Sequence, residues 1–92
     1  MKTYTFFEDS GHGWLKVAKK ELRELGIESE VSGYSYATKN FAYLEEDCDM
    51  TLFVKAFEAK TGTKWDSNVN MTVKYTDGQS GVRRMRSYEG AL

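Results

Sequence analysis

The stretch that decides the fold is FAYLEEDCDMTLFVKAFEAKT, residues 41–61. Its first four residues alternate aromatic and smaller side chains, which is typical of a β-strand. From Met50 onward, apolar residues recur at helical spacing, and Gly62 supplies a stop signal. The helical stripe consists of Leu52, Phe53, Ala56 and Phe57. The sequence therefore predicts a strand that passes through a short acidic run into a helix.

The acidic run places Glu45, Glu46, Asp47 and Asp49 within five residues. One interpretation is helix capping, with Asp49 or Asp47 accepting a hydrogen bond from a free backbone N–H group and the other carboxylates favouring the positive end of the helix dipole. A second is a docking surface for a basic partner. A third is a hard-cation site. The run lacks EF-hand spacing and no second acidic cluster completes a coordination shell, so no metal and no cofactor are predicted.

The flanking sequence predicts alternating hairpins and helices. Turn residues and periodicity indicate a hairpin over residues 3–17, a helix over Ala18–Leu25 ended by Gly26, a hairpin over Val31–Leu44, a strand over residues 69–76, a hairpin loop at Asp77–Gly81 and a last strand over Val82–Tyr88. The element order is β-β-α-β-β-α-β-β. We expect a single α+β domain over residues 1–92, in which an antiparallel sheet carries two helices on one face.

Composition narrows the functional classes. The 92 residues have a net charge of −1, which argues against a strongly basic nucleic-acid binder and against an acidic mimic of DNA. Residues 1–49 contain six Lys or Arg and ten acidic residues, whereas residues 50–92 contain seven and four. The single cysteine favours a reducing compartment, and neither a signal peptide nor a membrane-spanning stretch is evident. We expect a cytoplasmic protein that does not enter a membrane.

Two single residues, His12 and Cys48, carry side chains that take part in catalysis in other proteins. His12, the one histidine, lies between two glycines and has no identifiable partner for acid–base catalysis, so a turn position is the preferred interpretation. Cys48 lies near the start of the predicted helix, which would lower its thiol pKa, but the neighbouring carboxylates oppose a thiolate. We expect Cys48 to be a small buried residue. No catalytic residue is predicted, and the protein is expected not to be an enzyme.

Aromatic and basic residues indicate two candidate binding surfaces. The sequence has 13 aromatic side chains, 14% of the chain, which is more than a core of this size buries completely. Exposed tyrosines are frequent interface anchors. The predicted partner-binding set is therefore Tyr34, Tyr36, Tyr43, Glu45, Glu46, Asp47 and Asp49. The alternative is a phosphate or nucleic-acid contact on the last hairpin through Lys74, Arg83, Arg84 and Arg86.

Several segments resemble a family of small proteins encoded by bacteriophages, plasmids and other mobile elements. They are GHGWLKV (residues 11–17), EL (21–22), LGI (25–27), SGYSY (32–36) and AYLEEDCD (42–49). The resemblance spans roughly residues 4–57 and carries no activity or catalytic residue to this chain. It implies a setting in which small proteins often act as stoichiometric inhibitors, including anti-CRISPR proteins.

Three hypotheses follow. The first and preferred one is a non-enzymatic inhibitor or adaptor that binds a host or defence protein, such as a CRISPR component, in the host-cell cytoplasm. The second is an accessory protein that binds nucleic acid through the basic residues of the last hairpin. The third is a small enzyme or metal-binding protein. A homodimer is compatible with all three, because predicted edge strands and the uneven charge of the two halves favour self-association.

Overall fold

The computed structural model describes residues 3–89. The strands are β1 (Tyr4–Glu8), β2 (Gly13–Ala18), β3 (Tyr36–Ala37), β4 (Phe41–Glu45), β5 (Met71–Tyr75) and β6 (Arg86–Ser87). The helices are α1 (Lys19–Glu24), α2 (Asp49–Thr61) and the single-turn α3 (Ser67–Asn70), and a 3₁₀ turn covers Gly81–Arg84. Strands and helices within one compact unit confirm the predicted α+β class.

The six strands form one mixed sheet in the order β5-β1-β2-β4-β3-β6. The first predicted hairpin is confirmed, with Phe6 opposite Leu15 in an antiparallel pair. β2 also pairs antiparallel with β4, and Leu15 lies opposite Leu44. The expectation of a wholly antiparallel sheet is wrong at one edge, because β5 runs parallel to β1 with Phe6 opposite Val73.

The predicted last hairpin does not form. β5 lies at one edge of the sheet, whereas the short β6 pairs with β3 at the opposite edge. Residues 76–85 connect the two edges by crossing a face of the sheet, and Ser80 and Val82 are buried along the way. Covering that apolar face removes more apolar surface from water than closing a hairpin at an exposed edge would. The turn residues at Asp77–Gly81 therefore start the crossing segment instead of the predicted hairpin.

The face of the sheet opposite this crossing segment carries the helices. Leu15 and Leu44 from the central strands pack with Leu22 of α1 and with Phe53 of α2, and all four side chains are fully buried. Phe53 also meets the ring of Tyr4 edge-on, at 5.2 Å between ring centroids. The prediction of two helices packed on one face is confirmed.

The second face holds a smaller core. Trp14, Tyr43 and Val82 are buried there, with Phe7, Tyr36, Phe41 and Met85 packed around them. Val82 comes from the crossing segment, so the cover of this face is a loop instead of a helix. The sheet is therefore buried on both sides in its centre and exposed at its β5 edge.

The C-terminal end of α2 agrees with the prediction from the sequence, and the N-terminal end does not. Gly62 takes the left-handed conformation (φ 70°) and donates its N–H to the Glu58 carbonyl, which confirms the predicted stop. Neither Asp47 nor Asp49 is the N-cap. Cys48 occupies that position without a side-chain cap, and Asp49 is the first helical residue.

The Asp49 carboxylate is instead buried against the preceding loop. It accepts hydrogen bonds from the Ser32 backbone N–H (3.1 Å), from Ser32 Oγ (2.7 Å) and from Ser35 Oγ (2.5 Å). Ser35 Oγ in turn accepts the Glu45 N–H at 2.9 Å. These bonds fix residues 31–35 as a bent loop, so only Tyr36–Ala37 of the predicted strand from Val31 remains extended.

Leu44 lies at the centre of the core between the sheet and the helices, so its substitution tests the described packing. Leu44→Ala is expected to lower the free energy of unfolding by about 2–5 kcal/mol, because the cavity lies between the sheet and the helices. Urea denaturation measures the change. Val73→Ala, at a side chain that is 53% exposed, serves as the control and should change stability by less than about 0.5 kcal/mol. Equal losses in the two variants would contradict the described core.

Candidate functional site

A cleft opens where β2 begins and β4 ends. Trp14 and Glu45 lie opposite each other in the β2–β4 register, and the turn before β2 faces the segment that leads into α2. The cavity has a volume of about 340 Å³. Its lining residues are His12, Trp14, Tyr34, Tyr36, Glu45, Asp47, Cys48 and Arg83. We call it the acidic-aromatic cleft.

One wall of the acidic-aromatic cleft is aromatic. Trp14 is buried and meets Tyr36 edge-on, with 6.1 Å between ring centroids. Tyr34 projects outward with 74% of its surface exposed. Its backbone is nevertheless held in place, because its N–H donates to Ser32 Oγ, which itself donates to the buried Asp49 carboxylate. An exposed tyrosine thus stands on an anchored loop beside two packed rings.

The other wall of the acidic-aromatic cleft carries carboxylates. Glu45 is mostly buried, and its Oε2 accepts the Asp47 N–H at 3.1 Å. His12 Nδ1 lies 4.0 Å from Glu45 Oε1. One donor atom from each of His12, Glu45 and Asp47 lies within 4.8 Å of the others. In the described part of the chain, no lysine or arginine forms an ion pair with either carboxylate. The arrangement can attract a cation.

Cys48 lines the same cleft and is exposed, so the expectation of a buried cysteine is wrong. The reason is that Cys48 precedes α2 at a point where Asp49, and not Cys48, turns inward. The pKa of the Cys48 thiol is raised, first by its hydrogen bond to Glu45, then by partial desolvation within the cleft and by the neighbouring carboxylates. This direction agrees with the expectation that the acidic run opposes a thiolate.

The floor of the acidic-aromatic cleft depends on a buried ion pair. The Asp9 side chain is fully buried and binds Arg83 through Nε (2.7 Å) and Nη2 (3.0 Å). It also accepts the backbone N–H groups of Gly11, His12 and Ser80 at 2.9, 3.0 and 2.9 Å. Arg83, held in this way, lies over the Trp14 ring with its guanidinium carbon 5.2 Å from the centroid.

The ion pair shifts both pKa values in the direction that strengthens it. The Arg83 hydrogen bonds and the Ser80 N–H hold the pKa of Asp9 far below its usual range, even though burial works against ionisation. The Asp9 carboxylate raises the pKa of Arg83. The charge of Arg83 is therefore already neutralised, and it adds little positive potential to the cleft.

The structure brings four of the predicted partner-binding residues into this cleft, namely Tyr34, Tyr36, Glu45 and Asp47. The other three lie elsewhere. Tyr43 is buried in the second core, and Asp49 is buried against the two serines. Glu46 is partly buried beside Gly13, and its pKa is raised by burial and by Asp47, Glu45 and Glu8. We therefore revise the partner-binding set to the first four.

Sequence reasoning missed His12, Trp14, Cys48 and Arg83 as cleft residues. Trp14 and His12 reach the acidic run through the β2–β4 pairing, which joins strands from two different predicted hairpins. Arg83 belongs to the crossing segment, residues 76–85, which places it beside Trp14. Gly13 packs directly on the Phe6 ring, where a Cβ would lie 2.2 Å from a ring carbon, but this requirement for glycine does not place His12 beside the acidic run.

The predicted basic patch is divided in the structure. Lys74 lies on β5 at one edge, and Arg83 is bound by Asp9. Arg84 and Arg86 lie at the opposite edge, where they line a cavity of about 500 Å³ together with Lys19 and Lys39. The remaining lining residues are Ala37, Thr38, Met85, Ser87 and Glu89. We call this surface the basic groove.

Comparison of the chain with family models, with curated proteins and with solved structures finds no match. Among residues 3–89, none of the helices is long and apolar enough to cross a membrane. Function is therefore proposed from the chemistry of the acidic-aromatic cleft and the basic groove.

The buried Asp9 carboxylate predicts a specific pH dependence of stability. Its folded pKa lies below the unfolded value of about 3.9, so its contribution is complete above about pH 5 and is lost as pH falls below about 4. Asp9→Asn should therefore destabilise the protein strongly near neutral pH and progressively less in acid. Urea denaturation at a series of pH values measures the difference.

Asp77→Asn is the matched control, because Asp77 is an exposed carboxylate in the same crossing segment. It should leave the pH profile close to that of the wild type. A stability difference between wild type and Asp9→Asn that stays constant down to strongly acidic pH would contradict a depressed Asp9 pKa.

Proposed function

We propose that this chain is a small non-enzymatic binding protein that captures a basic segment of another protein in the acidic-aromatic cleft. The observation that carries the proposal is the exposed Tyr34, which stands on an anchored loop beside the Glu45 and Asp47 carboxylates. A tyrosine that is exposed on an anchored backbone offers a large contact area and has only two side-chain torsions to order, which is the property of interface anchors.

The chemistry of the acidic-aromatic cleft favours an arginine or lysine side chain as the group that enters it. A guanidinium can pair with carboxylates through two hydrogen bonds and can stack on an aromatic face. Tyr34 and Tyr36 supply the faces, while Glu45 and Asp47 supply the carboxylates. A cavity of about 340 Å³ is large enough for one long side chain and the backbone around it.

The same chemistry supports binding over covalent catalysis. The raised pKa of Cys48 keeps its thiol protonated near neutral pH, where it is a weak nucleophile. His12 lies 4.0 Å from Glu45, and the nucleophile beside this pair is the Cys48 thiol, whose ionisation the neighbouring carboxylates oppose.

The resemblance to proteins of mobile elements suggests the kind of partner. We propose a host or defence protein, such as a CRISPR component, that the chain inhibits by forming a stoichiometric complex in the host-cell cytoplasm. The exposed β5 edge is compatible with a homodimer, which leaves the acidic-aromatic cleft free because β5 lies outside its lining.

Capture of a partner from host-cell lysate tests this proposal with two matched double variants. Tyr34→Ala with Asp47→Asn alters the acidic-aromatic cleft, and Tyr75→Ala with Asp77→Asn makes the same chemical changes at exposed positions elsewhere. The first variant should lose at least about tenfold in affinity, since removing an anchor tyrosine costs roughly 2 kcal/mol or more. The second should bind as the wild type does.

Binding should also weaken at high salt, because the contact is partly between charges. Equal capture by wild type and by the Tyr34/Asp47 variant, or equal loss in both double variants, would contradict the proposed cleft.

A second candidate function is nucleic-acid binding, and the basic groove favours it. Lys19, Lys39, Arg84 and Arg86 surround one cavity, and Glu89 is the one acidic side chain among its lining residues. Four cations around a concave surface can bind the phosphate backbone of a nucleic acid.

Double-stranded DNA titrated at several salt concentrations tests this alternative. Arg84→Gln with Arg86→Gln should lower the slope of log affinity against log salt by about 2 if both side chains contact phosphates. Lys55→Gln with Lys74→Gln removes the same charge from outside the groove and should leave the slope unchanged. A wild type that does not bind at low salt would exclude this alternative.

A further inference from the structure

We propose that His12, Glu45 and Asp47 bind a single divalent transition-metal ion at the rim of the acidic-aromatic cleft. The three donor atoms lie within 4.8 Å of one another, although His12 and the acidic run are more than thirty residues apart in the chain. The β2–β4 pairing, which sets Trp14 opposite Glu45, brings them together.

The donor set selects the class of ion. One imidazole nitrogen with two carboxylate oxygens suits Zn²⁺ and similar transition metals, whereas Ca²⁺ and Mg²⁺ prefer ligands that are all oxygen. Three protein ligands leave at least one position open for water, as in zinc sites that are accessible to solvent. His12 thus changes the metal chemistry that the acidic run alone suggested.

The spacing is close to what such an ion requires. Bonds of about 2.0–2.2 Å to a tetrahedral ion place donor atoms about 3.4 Å apart. His12 Nδ1 and Glu45 Oε1 are 4.0 Å apart, and all three donor atoms lie within 4.8 Å of one another, so the donors must approach one another by roughly 0.6–1.4 Å to hold the ion. The His12 side chain is 49% exposed and Asp47 is exposed, and both can therefore move without repacking the core.

Glu45 is the fixed member of the set. Its side chain is only 12% exposed, and its Oε2 accepts the Asp47 N–H, which leaves Oε1 directed toward His12. A hydrogen bond that orients a ligating carboxylate in this way is the usual support around a metal site.

Ion binding is independent of the proposed partner, because it is measured on the chain alone. Both proposals use Glu45 and Asp47, so an ion and a basic side chain should compete for the cleft. If no partner is captured, the metal titration still tests the ion site. If no metal binds, the capture experiment still tests the proposed partner.

Titration of chelator-treated protein with Zn²⁺, in competition with a chromogenic chelator, tests the site. We expect one ion per chain, with affinity reduced at least about tenfold in His12→Ala and in Asp47→Asn. Glu46→Gln removes a neighbouring carboxylate that is outside the donor set and should change affinity less than about threefold. Zn²⁺ should also bind at least about tenfold more tightly than Ca²⁺.

Unchanged affinity in His12→Ala would overturn the proposal, as would a loss in Glu46→Gln equal to that in Asp47→Asn, because both outcomes indicate attraction to negative charge alone. Absence of Zn²⁺ binding, or complete dependence on Cys48 in a Cys48→Ser variant, would also overturn it. Urea denaturation of each variant confirms that folding is retained, which the exposure of His12 and Asp47 leads us to expect.

Discussion

The buried carboxylate of Asp9 is the constraint on which the rest of this structure depends. It accepts five hydrogen bonds, two from Arg83 and three from backbone N–H groups. Two of those N–H groups belong to the turn between β1 and β2, and one belongs to the segment that crosses the sheet. A single side chain thus joins residues that are more than seventy positions apart. A buried charge is tolerated only when it is paired in this complete way.

The hydrogen bonds of Asp9 to Ser80 and Arg83 fix the crossing segment and thereby position two of its side chains, Val82 and Arg83. Val82 is placed over Trp14 and Tyr43, so the second face of the sheet is covered without a third layer of helix. Arg83 is placed against the Trp14 ring and forms part of the acidic-aromatic cleft. Stability and the shape of the candidate site therefore share one cause, and a change at Asp9 affects both.

The carboxylates of the acidic run lie in two different environments that the sequence does not distinguish. Asp49 turns inward, binds Ser32 and Ser35, and thereby anchors the loop that presents Tyr34. Glu45 and Asp47 face the acidic-aromatic cleft instead. The inward carboxylate is structural because its lone pairs are used by serine donors, whereas the other two retain the capacity to bind a cation. The structure thereby separates one structural carboxylate from two that line the cleft.

The sequence by itself determined the local elements: the first hairpin, the helix from the acidic run to Gly62, and the α+β class. These follow from periodicity and turn chemistry, which act over a few residues. Tertiary structure alone decided the parallel pairing of β5 with β1, the crossing of residues 76–85 and the meeting of His12 with Glu45. These contacts form because they bury the apolar faces of the sheet and pair the buried Asp9 carboxylate with Arg83. Both effects act between segments that are distant in the chain, so no local sequence pattern predicts them.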